Sequence, residues 1–61
     1  MKVSYKSYKF EIRRYGTSYG TRLYQLIWIT KKPSYWKSTD DDMFEAENID
    51  DAVEIIKQEL R

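Results

Sequence analysis

The residues of this 61-residue chain that are best suited to chemistry are cations and aromatic rings, because the usual catalytic and metal-binding side chains are missing. There is no Cys and no His, so there is no thiol nucleophile, no disulfide, no cysteine–histidine zinc site and no imidazole base. The serine and threonine hydroxyls therefore lack the group that usually activates them. We expect a protein that is not an enzyme and that uses no cofactor, metal ion or small-molecule substrate.

Charge is divided unevenly along the chain, although the formal net charge is only +1. Up to Thr39 there are nine basic residues and one acidic residue, Glu11, whereas the rest of the chain has nine acidic and two basic residues. Nine of the ten aromatic residues also lie in the basic part. Because cations neutralise phosphates and aromatic rings stack on bases, this part of the chain predicts a surface that binds nucleic acid.

Eight residues of the basic part are the candidates for that surface. The candidates for phosphate contacts are Lys9, Arg13, Arg14, Arg22 and Lys37, and the candidates for stacking or wedging are Tyr15, Tyr19 and Trp36. Tyr19 is predicted at the tip of a hairpin, where it has no core to reach. The alternative interpretation is that the lysines form an ordinary solvated face and that most of the rings belong to the core.

The elements that must position these residues follow from hydrophobic periodicity. Over residues 3–15, apolar and polar side chains alternate, with Tyr8, Phe10 and Ile12 on one face. This alternation predicts a half-buried strand. Its odd-numbered face offers Tyr5, Lys9, Arg13 and Tyr15. A turn around Gly16 and Gly20 separates it from a second strand over residues 22–30, and a short third strand is predicted over residues 34–39.

The second strand is apolar on both faces, which indicates a central position in the sheet. Two phases therefore remain open, because either of two sets of side chains could face the helix. One set is Leu23, Ile27 and Ile29, and the other is Tyr24, Leu26 and Trp28.

The last third of the chain has helical periodicity, which predicts a helix over residues 49–60. Asn48 stands at its N-cap, and Asp51 occupies the third helical position of a capping box. We expect a single α+β domain over residues 1–61, in which a three-stranded antiparallel sheet carries one C-terminal helix on one face (β-β-β-α). One helix cannot cover all the large apolar side chains, so the other face is a candidate for binding.

Part of this pattern resembles small β-β-β-α modules of phages and mobile elements, such as the arm-type DNA-binding domains of tyrosine integrases. The resemblance rests on residues 8–14, on the hairpin that follows, and on Phe44 with the Asn48-Ile49-Asp50-Asp51-Ala52-Val53 segment. It implies a three-stranded sheet laid into a DNA groove, which favours DNA over RNA, and it implies a phage or mobile-element origin.

Two further interpretations of the surface stay open. A host protein, or a second copy of the chain in a homodimer, could bind the aromatic sheet face. The acidic residues could alternatively imitate the phosphates of a nucleic acid and make the chain an inhibitor, although a solvated helix start explains them more simply. These acidic residues are Asp40, Asp41, Asp42, Glu45, Glu47, Asp50, Asp51 and Glu54.

The sequence also bears on location. No apolar run approaches the roughly 20 residues that a membrane span requires, and the N-terminal residues do not resemble a secretion signal. We expect a cytoplasmic protein with no membrane partner.

Overall fold

The computed structural model of the chain describes residues 1–36 and 42–60. They form β1 (Lys2–Tyr5), β2 (Tyr8–Ser18), β3 (Thr21–Trp28), β4 (Met43–Ala46) and α1 (Ile49–Glu59). The four strands are antiparallel and adjoin one another in chain order. The prediction of an α+β fold with an antiparallel sheet and one C-terminal helix is confirmed, whereas the prediction of three strands is wrong.

The predicted first strand, residues 3–15, is in fact a hairpin. Lys6 and Ser7 form a two-residue turn in which Lys6 has a φ of 55°, and Tyr5 pairs with Tyr8 across it. No Gly, Pro or Asn marks this turn, so the alternating pattern predicts one continuous strand. Because paired residues of neighbouring strands share a face, Val3 and Tyr5 lie on the same side as Tyr8 and Phe10.

The predicted third strand, residues 34–39, is wrong where the structure describes it. Ser34 and Tyr35 form a turn after Pro33, and the Trp36 N–H donates to the Pro33 carbonyl at 3.0 Å. Residues 37–39 lie outside the described residues. The strand that pairs with β3 on the side away from β2 is β4. Its register runs from Gln25 opposite Met43 to Arg22 opposite Ala46.

The helix agrees with the prediction to within one residue. The Asn48 side chain accepts a hydrogen bond from the Asp51 N–H at 2.8 Å, which confirms the predicted N-cap. The Asp51 carboxylate in turn accepts a long hydrogen bond, 3.4 Å, from the N–H of Glu47. Within the described ranges, no helix is long and apolar enough to cross a membrane.

The core lies between α1 and one face of the sheet. Of the two phases that the sequence left open for β3, the structure has Tyr24, Leu26 and Trp28 toward the helix. Phe10 and Ile12 of β2 are fully buried opposite them. Among the described residues, the buried core cluster consists of Phe10, Ile12, Tyr24, Leu26, Ala46, Ala52, Val53, Ile56 and Leu60.

The loop after β3 also covers part of this face. Pro33 is buried, and the half-buried Trp36 ring packs edge-on against Trp28 with 5.2 Å between ring centroids. Tyr8 and Phe10 surround the same Trp28 ring at 6.0 Å and 5.6 Å. The large aromatic side chains that exceed the capacity of the helix are therefore covered by the loop as well.

The two edge strands are offset along the sheet. β1 pairs with β2 only from Tyr8 to Glu11, and the backbone hydrogen bonds between Met1 and Ile12 end this pairing. Beyond Ile12, residues 13–18 of β2 have no neighbouring strand on that side within the part of the chain that the structure describes. This unpaired stretch leads directly into the turn between β2 and β3.

Candidate nucleic-acid interface

Two successive arginines leave the unpaired stretch of β2 on opposite faces of the sheet. Arg13 lies on the outer face, which is the face opposite α1, and its Nη2 is 2.9 Å from Oε1 of Glu11. Arg14 lies on the helix side, where its guanidinium carbon is 5.9 Å from the centroid of the Tyr24 ring. Both side chains are exposed, so cations flank this strand on both sides.

The Arg14 side chain is held along the strand edge by two hydrogen bonds. Its Nε donates to the Gly16 carbonyl at 3.1 Å, and its Nη2 donates to Oγ1 of Thr17 at 3.0 Å. These bonds fix the direction of the guanidinium and leave further N–H donors for a ligand. Sequence reasoning did not identify Thr17, because its contact with Arg14 depends on an irregularity of the strand.

That irregularity is a register shift between Arg14 and Gly16, at Tyr15. The Tyr15 side chain is 59% exposed, and the Tyr19 side chain, in the turn, is completely exposed. The predicted position of Tyr19 at the hairpin tip is confirmed. We use the name basic edge for the exposed basic and aromatic residues along β2 and at this tip, namely Lys9, Arg13, Arg14, Tyr15 and Tyr19.

The other predicted site residues lie elsewhere. Arg22, on β3, donates a hydrogen bond to the Glu47 carbonyl and so lies beside the start of the acidic helix. Trp36 packs against Trp28, the last residue of β3, and is therefore at the opposite end of the hairpin from Tyr19. Lys37 lies outside the described residues.

The predicted basic, aromatic sheet face is not a single surface. Tyr5, expected beside Lys9, is half-buried on the helix side, between the ammonium groups of Lys6 and Lys57 at 5.6 Å and 5.5 Å from its ring centroid. The reason is the turn at Lys6, which reverses the chain before the alternation reaches Tyr8. Strand residues on the outer face are charged, polar or aliphatic: Lys2, Ser4, Lys9, Glu11, Arg13, Leu23, Gln25, Ile27, Met43 and Glu45.

The aliphatic side chains of the outer face form a second feature. Leu23 and Ile27 are half-buried there, Ile29 just after β3 is 54% exposed, and Met43 is 37% exposed. The two-sided apolar pattern of residues 23–29 signalled three of these residues. Nothing in the sequence pattern pointed to Met43.

The opposite edge of the sheet is acidic. Glu45 on β4 and Glu47 just after it are exposed carboxylates at this edge. α1 adds exposed carboxylates at Asp50, Asp51 and Glu54, and the positive end of the helix dipole favours the two in the first turn, Asp50 and Asp51. Asp40 and Asp41 are outside the described residues. Among the residues that are described, no group of His, Cys, Asp or Glu could hold a metal ion. Asp50 and Glu54 line a pocket together with Met1 and Lys2, so the charge division of the sequence is only in part a division in space.

Comparison of the chain with protein-family models, with curated proteins and with solved structures finds no match.

Proposed function

We propose that this chain is a non-enzymatic binding module that binds double-stranded DNA through the basic edge. The observation that carries the proposal is the pair formed by Arg13 and Arg14, which project from opposite faces of a strand edge that no described strand pairs with. A ligand with two parallel rows of phosphates, one on each side of a groove, matches this arrangement. Phosphate contacts of this kind supply most of the sequence-independent affinity of DNA-binding proteins.

The dimensions of a sheet edge suit the major groove of B-form DNA. A single sheet with its side chains is roughly 10 Å thick, and the major groove is roughly 12 Å wide. An edge inserted between the two backbones would direct Arg13 to one phosphate row and Arg14 to the other. The major groove of A-form RNA is deep and narrow, so the same edge would not enter it, and DNA is the better ligand.

The acidic edge is compatible with binding from one side. β2 and β4 are separated by β3, which corresponds to about 10 Å between the two edges of the sheet. This distance is about one Debye length at physiological ionic strength, so the carboxylates of Glu45 and Glu47, on β4 and just after it, are partly screened from DNA at β2. They also repel DNA that approaches from the β4 side of the sheet and thereby set the orientation of the complex.

The sequence resemblance to the arm-type domains of tyrosine integrases supports the same ligand, although the sheet has four strands instead of three. The proposal accordingly includes a phage or mobile-element origin and a cytoplasmic location, where the DNA of such an element is found.

Fluorescence anisotropy of a labelled DNA duplex tests this proposal. With phosphate contacts from Lys9, Arg13 and Arg14, the logarithm of the binding constant should fall with the logarithm of salt concentration with a slope of about −2.7. Affinity should therefore decrease roughly 40-fold between 50 and 200 mM salt. Labelled DNA is the better reporter because Trp28 and Trp36 lie at the opposite end of the hairpin from Tyr19. Absence of binding at 50 mM salt would refute the proposal.

The outer face supports a second candidate function, which is binding to a protein. Leu23, Ile27, Ile29 and Met43 leave apolar surface on a sheet face that no described element covers. A host protein or a second copy of the chain could cover it, as the sequence suggested for the face opposite the helix. Burial of apolar surface depends little on salt, so a complex that persists at high salt would favour this candidate over DNA.

A further inference from the structure

The turn at the tip of the basic edge has an unfavourable residue at its first central position. Tyr19 and Gly20 have φ values of 51° and 79°, and a two-residue turn with both central φ values positive is a type I′ turn. Asn, Asp and Gly are the residues that this turn prefers, since a bulky side chain is disfavoured at positive φ. Gly20 fits the preference and Tyr19 does not.

No contact within the described residues compensates for this conformation. The Tyr19 side chain is completely exposed, so the ring packs against nothing in the fold. Two other tyrosines differ, because Tyr15 does not have a positive φ and the half-buried Tyr5 is held between two ammonium groups. A residue that is unfavourable for the turn and contributes no packing is best explained by a contact outside the chain.

From these observations we infer that Tyr19 stacks on an unpaired base, and that the preferred ligand is duplex DNA interrupted by such a base. The inference rests on the proposed function, because it takes DNA at the basic edge as given. A ring on a short, rigid turn presents a flat surface with few internal degrees of freedom, which suits stacking. In an intact duplex the base faces are covered by their neighbours, so a free face requires an unpaired or extruded base.

Three labelled oligonucleotides test the inference: an intact duplex, the same duplex with one unpaired base, and the single strand. The unpaired position carries 2-aminopurine, whose fluorescence responds directly to stacking. The wild-type chain should bind the interrupted duplex about tenfold more tightly than the intact duplex, which is within the range found for one stacking ring. Tyr19→Phe should keep this preference, because it keeps the ring.

Tyr19→Asn is the decisive variant, because Asn suits the turn and the fold should not suffer. We expect its melting temperature to equal or exceed that of the wild type and its preference for the unpaired base to disappear. Tyr35→Ala serves as the control, since it removes an exposed ring outside the basic edge and should leave the preference in place.

The outcomes separate this inference from the proposed function. If the wild type binds intact and interrupted duplexes equally, or if Tyr19→Asn keeps the preference and the 2-aminopurine response, the inference is wrong while DNA binding at the basic edge stands. If the wild type binds none of the three oligonucleotides, both the inference and the proposed function are wrong.

Discussion

Arg13 forms an ion pair with Glu11, two residues earlier on the same strand. Oε1 of Glu11 lies 2.9 Å from Nη2 of Arg13 and accepts a hydrogen bond from its Nε at 3.0 Å. The Arg13 side chain is 63% exposed and that of Glu11 only 20% exposed. The guanidinium is therefore open to solvent, whereas most of the carboxylate side chain is covered. A phosphate that binds Arg13 must therefore compete with Glu11, which is the only carboxylate in the basic part of the chain.

Removal of that carboxylate should strengthen DNA binding. We expect Glu11→Gln to raise affinity for duplex DNA about two- to fivefold, because a surface ion pair of up to about 1 kcal/mol no longer competes with phosphate. Anisotropy titrations at fixed salt measure this. Glu59→Gln, an identical charge change at an exposed position of α1, is the control. Equal gains from the two substitutions would mean that net charge alone matters and that Arg13 has no particular role.

The two glycines of the long hairpin should respond differently to substitution by alanine. Gly20 has a φ of 79°, so Gly20→Ala should destabilise the fold by about 1–2 kcal/mol. A Cβ at either Gly16 or Gly20 would meet no atom within 4 Å, so crowding does not enter the comparison. Gly16→Ala should change the unfolding free energy by less than about 0.5 kcal/mol or raise it slightly. Urea unfolding measures the free energy of unfolding of both variants. Similar losses of stability in the two variants would contradict the assigned turn.

Adjacent residues of β3 should differ strongly in their contribution to stability. Leu26 is 4% exposed and faces the helix, whereas Ile27 lies half-buried on the outer face. Leu26→Ala should cost about 2–5 kcal/mol, a large part of the roughly 3–9 kcal/mol expected for a domain of this size. Ile27→Ala should cost less than about 1.5 kcal/mol. Thermal unfolding followed by circular dichroism measures both, and a larger loss for Ile27 would reverse the assigned phase of the strand.

The N-cap of α1 gives a prediction that does not depend on the site. Asn48→Ala removes the acceptor of the 2.8 Å hydrogen bond from the Asp51 N–H and should cost about 1 kcal/mol. Asn48→Ser provides another capping side chain and should retain most of the stability. If the two variants unfold at the same urea concentration, the cap does not contribute to the stability of the helix.

The elements that depend on local signals were the ones that the sequence could predict. The helix has a cap at Asn48, acidic residues in its first turn and a regular apolar stripe, all within a dozen residues. β1 and β2 merged into one predicted strand because Lys6, an uncommon residue at positive φ, forms the turn between them. β4 has only four residues and follows a segment without clear periodicity, so its pairing with β3 depends on tertiary contacts that periodicity does not reveal.

The candidate site was predictable in composition and not in geometry. Arg13, Arg14, Tyr15 and Tyr19 were recognised from their types, and the structure has them along one edge. Their arrangement depends on where β1 ends, and neither the offset of the edge strands nor the register shift at Tyr15 has a signature in a single sequence. Trp36 was assigned to the surface because the pattern gave no indication that the loop folds back onto Trp28.

The central claim is that DNA binds at Arg13 and Arg14, and the salt dependence of two double variants tests it most directly. Arg13→Ala with Arg14→Ala should weaken duplex binding and reduce the magnitude of the salt slope by about 2, since two phosphate contacts are lost. Lys31→Ala with Lys32→Ala removes the same charge from exposed residues beyond the other end of β3. This control should leave the slope nearly unchanged. Equal salt slopes for the arginine variant and the wild type would contradict the account. An equal loss of affinity for the duplex in the two double variants would also contradict it.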